Sequence, residues 1–318
     1  MPGKTARQTA LKIVKRAATT LPMLWVVVTV VFLLIHLVPG DPIVQMLGEG
    51  ASAADVSTLR HQYGLDAPLS TQYVRYWRGL AHADLGQSLR LHDSVLNLIV
   101  QRYPYTLALT FGALLIGVGL AVPAGVISAR RRNSWVDRGI GVGSLVGLSF
   151  PNFALGPILI LVFAIGLGWL PVSGAGNGAG ELLRHLVLPA VTLGLGLAAI
   201  LTRMVRTSML EEMGQDYIRT ARAKGLPERT VVYRHALRNA LNPVLTVVGL
   251  QFGSLLAGAI VTETIFGWPG LGRLTLSAIS NRDYALVQGC ILAVGLSYVA
   301  VNLLTDAAYA IADPRLRR

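Results

Sequence analysis

Residues Arg203 to Asn239 read RMVRTSMLEEMGQDYIRTARAKGLPERTVVYRHALRN and lie between two long apolar runs, yet they carry 8 of the chain's 28 lysines and arginines. Between runs that can each cross a bilayer, so basic a segment must sit in water, and loops rich in lysine and arginine are retained on the cytoplasmic side. The stretch therefore marks an integral membrane protein and orients it. Its pattern predicts two helices with a sharp break. Met213, Tyr217 and Ala221, with Ile218 beside them, form an apolar stripe at helical spacing, while Arg219 and Arg222 project elsewhere. Lys224 falls in the last turn and Gly225 is placed to take the left-handed conformation that ends a helix. Pro227 suits the first turn of a second helix through Val231, Val232 and His235. A short helix across the membrane face, tethered to spans at both ends, can pass force from a soluble partner into the membrane, its apolar stripe laid in a groove of that partner. Two other readings stay open on pattern alone: a solvated connector, and a DNA-binding helix-turn-helix, for whose duplex the tether leaves little room.

The rest of the composition agrees with a membrane protein. Of 318 residues, 53% are hydrophobic and only 14% charged, where a soluble domain carries about 25% charged residues. Six spans of the about 20 residues needed can be drawn: Leu21 to Val38, Tyr105 to Ala129, Gly139 to Leu170, Leu186 to Thr202, Ala240 to Thr262 and Tyr284 to Ala312. The third contains Pro151 and Pro157, so one kinked helix and a helix with a re-entrant end are both open. The N-terminus, Arg130 to Arg138, the Arg203 stretch and the C-terminus hold 20 of the basic residues, and the alternate segments hold 8. Both termini are therefore expected in the cytoplasm. The net charge of +12 sits beside apolar spans and does not indicate nucleic acid. The basic N-terminus also has the look of a secretory signal, but Pro39-Gly40-Asp41-Pro42 follows where a small-x-small cleavage site belongs, and it is read as an uncleaved first span.

The expected organisation is a cytoplasmic segment 1–20, a first membrane helix 21–39, an extracytoplasmic helical loop 40–104, a membrane core 105–312 containing the 203–239 loop, and a cytoplasmic tail 313–318. In the extracytoplasmic loop, Ser52 can cap a helix ending at Gly64, Ser70 another carrying Tyr73, Val74, Trp77 and Leu80, and Ser94 a third leading into the second span. These amphipathic helices are expected to pack as a small cap.

No catalytic constellation emerges. None of Lys4, Lys12, Lys15 and Lys224 follows the glycine spacing of a phosphate-cradling loop, so an ATPase driving transport would be a separate subunit. The six histidines and Cys290 show no metal-ligand spacing, and no metal is expected. Gly112, Gly117, Gly119 and Gly125 permit close helix approach. Ionisable groups at membrane depth default to functional hypotheses. Asp306 is one such group; Glu263, just before Gly267-Trp268-Pro269-Gly270, either faces substrate or holds that turn. Asn152, Gln251 and Asn302 are uncharged groups able to line a cavity. The scarcity of buried charge and the lack of an internal repeat count against a proton- or sodium-coupled secondary transporter. A membrane anchor recruiting a soluble partner is a further alternative.

Asp216-Tyr217-Ile218-Arg219-Thr220-Ala221-Arg222-Ala223-Lys224-Gly225-Leu226, followed by Arg234-His235-Ala236-Leu237-Arg238-Asn239-Ala240, resembles the cytoplasmic coupling loop of ABC importer permeases, within them the dipeptide/oligopeptide/nickel subfamily with a long first external loop. Pro39-Gly40-Asp41-Pro42, Tyr63-Gly64-Leu65-Asp66-Ala67-Pro68, Asp84-Leu85-Gly86-Gln87-Ser88, Gly168-Trp169-Leu170-Pro171, Glu263 to Gly272 and Asp313-Pro314-Arg315 are similar to other signatures of that family, so the resemblance covers nearly the whole chain. It departs in Ala83, where the family has glycine, and in Thr220-Ala221-Arg222 with Gly225 three residues on, where the usual motif begins Glu-Ala-Ala with glycine four residues on. The resemblance implies an all-α, six-spanning type I ABC importer transmembrane fold in the bacterial inner membrane. It implies a non-catalytic permease subunit for di- or oligopeptides, with nickel chelates, glutathione and oligosaccharides as alternative cargo. The implied partners are a second, paralogous permease, two ATPase subunits or domains carrying ATP and magnesium, and an extracytoplasmic substrate-binding protein. Asp216 to Leu226 would then couple to the ATPase, and Asn152, Gln251, Glu263 and Trp268 would belong to the translocation pathway or its outer gate.

Overall fold

The computed structural model describes residues 22–33, 43–44, 52–62, 64–88 and 90–312, with the side chains of 59, 62 and 305–312 excepted. The expected N-terminal segment, Pro39-Gly40-Asp41-Pro42, Tyr63, the C-terminal tail and the side chain of Asp306 lie outside it. The described residues are almost wholly helical: α1 (Pro22–Leu33), α2 (Ala53–Gln62), α3 (Leu69–Ala81), α4 (Val95–Arg130), α5 (Trp135–Ser149), α6 (Asn152–Gly166), α7 (Ala179–Met213), α8 (Asp216–Ala223), α9 (Glu228–Ile265), α10 (Leu271–Ser280) and α11 (Tyr284–Ala312).

Among the described residues, α4, α7, α9 and α11 are each long and apolar enough to cross a membrane, and α5 with α6 is a pair bent by 103°, either a fifth, broken crossing or a re-entrant segment. The expected third span is thus not one kinked helix. Pro151 decides this, because a residue before proline is driven out of the helical region; Phe150 is extended (φ −83°, ψ 115°) and Pro151 opens α6, whereas Pro157 sits inside α6 without breaking it. The 12 residues of α1 rise about 18 Å at 1.5 Å each, and the remainder of the expected first span lies outside the described residues. The fourth span is longer than expected. Helix α7 continues to Met213, so the first 11 residues of the basic stretch extend a membrane helix and only 214–227 form the turn.

Two compact units can be distinguished, Met1–Arg102 with Leu274–Ala300 and Tyr103–Arg273 with Val301–Arg318. In the first, Ser52 accepts the Asp55 N–H at 3.1 Å, as a cap should. Ser70 does not cap: α3 starts at Leu69 after Pro68. Helix α3 packs its aromatics on α1, with Phe32 5.2 Å from Tyr73 and 5.7 Å from Tyr76 between ring centres, and Thr29 hydrogen-bonded to the Tyr73 hydroxyl at 2.7 Å. Asp283 at the start of α11 is buried and accepts from Ser88 Oγ at 2.5 Å and from the Leu286 N–H at 3.2 Å, which anchors the Asp84–Ser88 signature to that helix.

The second unit is built around α7, whose Leu193, Leu197, Leu201, Val205 and Met209 are buried in a core shared with Leu109, Ala113 and Ala121 of α4 and Leu255 and Ala259 of α9. Close approach of α4 needs Gly125, since a Cβ there would lie 2.6 Å from Val205 and 2.9 Å from the Thr202 carbonyl.

Candidate functional site

Helix α8 is eight residues long and connects α7 to α9. Its end is a Schellman motif: the Gly225 N–H donates to Arg222 O (2.9 Å) and the Leu226 N–H to Ala221 O (3.3 Å), with Gly225 at φ +75°. Pro227 stands one residue before α9, in extended backbone, rather than in its first turn. The expected apolar stripe forms, but it points inward. Ile218 is fully buried and Ala221 nearly so, in the same core as Val205, Met209, Val231 and Val232, so these two are covered by this chain's own helices, while Met213 is half-buried and Tyr217 stays 39% exposed. What faces solvent is mostly polar: Asp216, Arg219, Thr220, Arg222 and Lys224, with Tyr217, Ala223, Gly225 and Leu226 exposed beside them.

Two side chains tie this helix to its surroundings, and an ion pair lies within it. The Tyr217 hydroxyl donates to Glu212 of α7 and accepts from Asn239 Nδ2 of α9 at 2.9 Å, tying both flanking helices. Burial, and then the Glu212 carboxylate, push the Tyr217 phenol above its ordinary pKa, so it remains a donor. The Arg222 guanidinium spans the turn with two hydrogen bonds to Glu228 (3.1 and 2.8 Å). Arg219 pairs with Asp216 at 3.2 Å on the open surface.

A further clasp braces the same end of α7, and pattern reading missed it. Asp137, in the first turn of α5, is 8% exposed at its side chain and takes a bidentate pair from Arg206 (2.7 and 2.8 Å), the Ser128 hydroxyl (2.5 Å) and the Asn133 N–H (2.9 Å). Its carboxylate joins three elements, the most distant partner lying 69 residues away. The only signal in the sequence is one acid inside the Arg130–Arg138 run.

At the opposite end of α9, the turn to α10 is sealed. Glu263 is fully buried, accepting from Thr106 Oγ1 (2.6 Å) and the Arg273 N–H (2.9 Å), while Thr106 accepts the Leu271 N–H (2.7 Å). Trp268 is fully buried too, donating from Nε1 to Tyr105 O at 2.9 Å, with the two rings edge to face. A Cβ at Gly270 would overlap the Glu263 carboxylate. Glu263 and Trp268, expected in the pathway or its outer gate, are thus both buried within this chain, and the Glu263 carboxylate, at the start of α10, holds the turn.

Over residues 121–318 the sequence matches the family described as binding-protein-dependent transport system inner membrane component, and over 11–110 the N-terminal region described for such components. The chain belongs to this family. It is 42% identical over 305 residues to the glutathione transport system permease protein GsiC of Escherichia coli O6:H1, and 43% identical over 329 residues to the di/tripeptide transport system permease protein DppB of Pseudomonas aeruginosa. Both alignments cover 96% of this chain and 98% of the relative. An inward-facing MetNI methionine ABC transporter structure superposes with a TM-score of 0.57 at 21% identity, over 68% of this chain and 96% of that one, which places the helices in the ABC importer transmembrane fold.

In this inner membrane component, Asn152 and Gln251 are the expected pathway residues that remain partly exposed, Asn152 opening α6 at the break and Gln251 midway along α9. Asn302 is also partly exposed.

Proposed function

We propose that the chain is the permease subunit of an ATP-driven importer of di- and oligopeptides, that it carries out no catalysis itself, and that the exposed face of α8 seats a separate ATPase subunit. One observation carries the seat: the short helix joining α7 to α9, in the chain's most basic stretch, buries Ile218 and Ala221 in the core and presents its charged residues outward. Such a helix moves as one body with α7 and α9. A push on Arg219, Ala223 or Lys224 reaches both membrane helices through Ile218, Tyr217 and the Asp137–Arg206 clasp, biasing one of two packed arrangements. Nucleotide and magnesium belong to the ATPase. A second, paralogous permease and an extracytoplasmic binding protein complete the importer, with α8 and both termini of this chain in the cytoplasm as the distribution of basic residues supports.

The peptide reading is supported by the DppB relative, and glutathione, itself a tripeptide-like acid, by the GsiC relative at nearly equal identity. Asn152 and Gln251 supply hydrogen bonds without fixed charge, as cargo with varied side chains requires. The test is ATP-dependent peptide uptake by the reconstituted transporter. Reversing the exposed charges with Arg219→Glu and Lys224→Glu should abolish uptake and stimulated ATP hydrolysis while the chain still inserts; unchanged uptake at normal expression would defeat the coupling role.

A further inference from the structure

The turn from α4 to α5 holds positive charge that nothing in the chain neutralises. Arg130, Arg131, Arg132 and Arg138 are all exposed, and none of the four guanidinium groups makes a hydrogen bond or an ion pair among the described residues. Asp137, the one acid between Arg130 and Arg138, is buried and committed to Arg206, Ser128 and the Asn133 N–H. Glu228, whose carboxylate feels Arg130 only through space, is held by two hydrogen bonds from Arg222.

Amid these arginines Trp135 is 84% exposed, more than any other large apolar side chain among the described residues. The guanidinium carbon of Arg138 stands 5.3 Å from the centre of its ring, a cation–π distance. The depth of the turn follows from its neighbours. Ile127 is 40% exposed and precedes Arg130 by three residues, a rise of about 4.5 Å. Val142 is 60% exposed and lies two turns beyond Trp135 on the same face of α5. Apolar surface of that kind belongs in hydrocarbon and the arginines belong in water. The turn therefore sits at the boundary between the two, where tryptophan settles and phospholipid headgroups lie.

We propose that this turn binds an anionic phospholipid, whose phosphate is drawn by Arg130, Arg131, Arg132 and Arg138 and whose interfacial part lies against Trp135. Guanidinium groups suit a phosphate, which accepts two of their N–H groups at once. A headgroup that is free to move along the surface needs no preformed cage, because each arginine beside an anionic bilayer adds to the attraction. The proposal goes beyond the transport reading and holds whatever the cargo is.

The test is quenching of Trp135 fluorescence in bilayers of equal phosphatidylglycerol and phosphatidylcholine, with one lipid or the other brominated on its acyl chains. The Trp135 signal is the difference between the wild-type chain and Trp135→Phe, and the ratio of the two quenching efficiencies reads the lipid enriched beside it. Phosphatidylglycerol is expected to be enriched about tenfold, the effect of one to two arginines beside an anionic surface. Arg131→Gln with Arg132→Gln, which leaves the Arg138–Trp135 pair intact, should lower the enrichment about fivefold or more. Arg131→Lys with Arg132→Lys keeps the charge and should keep the enrichment. Protection of buried Cys290 from thiol reagents checks that each variant is folded. The measurement is then repeated on the assembled transporter with its ATPase subunits and second permease, where the enrichment should persist. Equal quenching by the two lipids, or an enrichment unchanged by the paired glutamine substitutions, would overturn the proposal. So would an enrichment that vanishes on assembly, which would assign the patch to a partner subunit instead. No transport is measured, so a failure of the coupling role at α8 leaves the result readable.

Discussion

The two ends of α9 carry turns of opposite construction. At one end, α8 buries Ile218 and Ala221 and exposes its charges; at the other, Glu263, Thr106 and Trp268 are turned inward and fully or nearly fully buried. The Arg222–Glu228 pair is 39% and 49% exposed, whereas Glu263 is 0% exposed and saturated by donors. The first turn is a rigid body with a surface to offer, the second a seal that offers none. The contrast teaches that a charged residue beside a membrane helix can be either a docking contact or a structural part, and that its burial, not its charge, decides which.

Breaking the seal should have the largest effect. Glu263→Ala leaves the Thr106 hydroxyl and the Arg273 N–H unpaired inside the protein and opens a cavity, and should cost about 3–5 kcal/mol, read as earlier reaction of Cys290 with a thiol dye on heating in detergent. Ile218→Ala removes a fully buried side chain under α8 and should cost about 3 kcal/mol; it should also lower uptake, because the helix loses its grip on the core. Asp137→Asn keeps the shape of the clasp but removes its charge. Arg206 is 32% exposed and can turn to water, so the expected cost is smaller, about 2 kcal/mol, with uptake reduced more than insertion. At Gly225 a Cβ would meet nothing within 4 Å, so Gly225→Ala tests backbone alone: φ +75° should cost about 1 kcal/mol. Arg222→Ala should change stability by less than about 1 kcal/mol, as an exposed pair does, and any large loss of uptake would then report a docking contact.

Much of this was legible in the chain before its fold was known. The Lys224-Gly225-Leu226-Pro227 punctuation marked the end of α8 and the start of α9 to within a residue, because glycine and proline act through local backbone sterics. The crossings in α4, α7, α9 and α11 followed from uninterrupted apolar length. What pattern did not show depends on distant partners. Periodicity located the stripe of Ile218 and Ala221 but could not say that α7 and α9, rather than another protein, cover it. Glu263 meets Thr106 157 residues away, and Asp137 meets Arg206 69 residues away; neither pairing leaves a trace in spacing. Pro151 and Pro157 look alike in sequence, yet only Pro151, preceded by the extended Phe150, breaks the helix.

The most direct measurement of the central claim is a contact map from one position. Cys290 is the sole cysteine and is buried, so Ala223→Cys places a single reactive thiol on the exposed face of α8. Labelled with a maleimide benzophenone in the assembled transporter and illuminated, it should cross-link to the ATPase subunit with a yield that changes between nucleotide-free and ATP-bound states, while the same label on Thr264→Cys, at the sealed end of α9, should not reach it. A cross-link from the sealed end, or none from α8 in an assembly that hydrolyses ATP, would contradict the account.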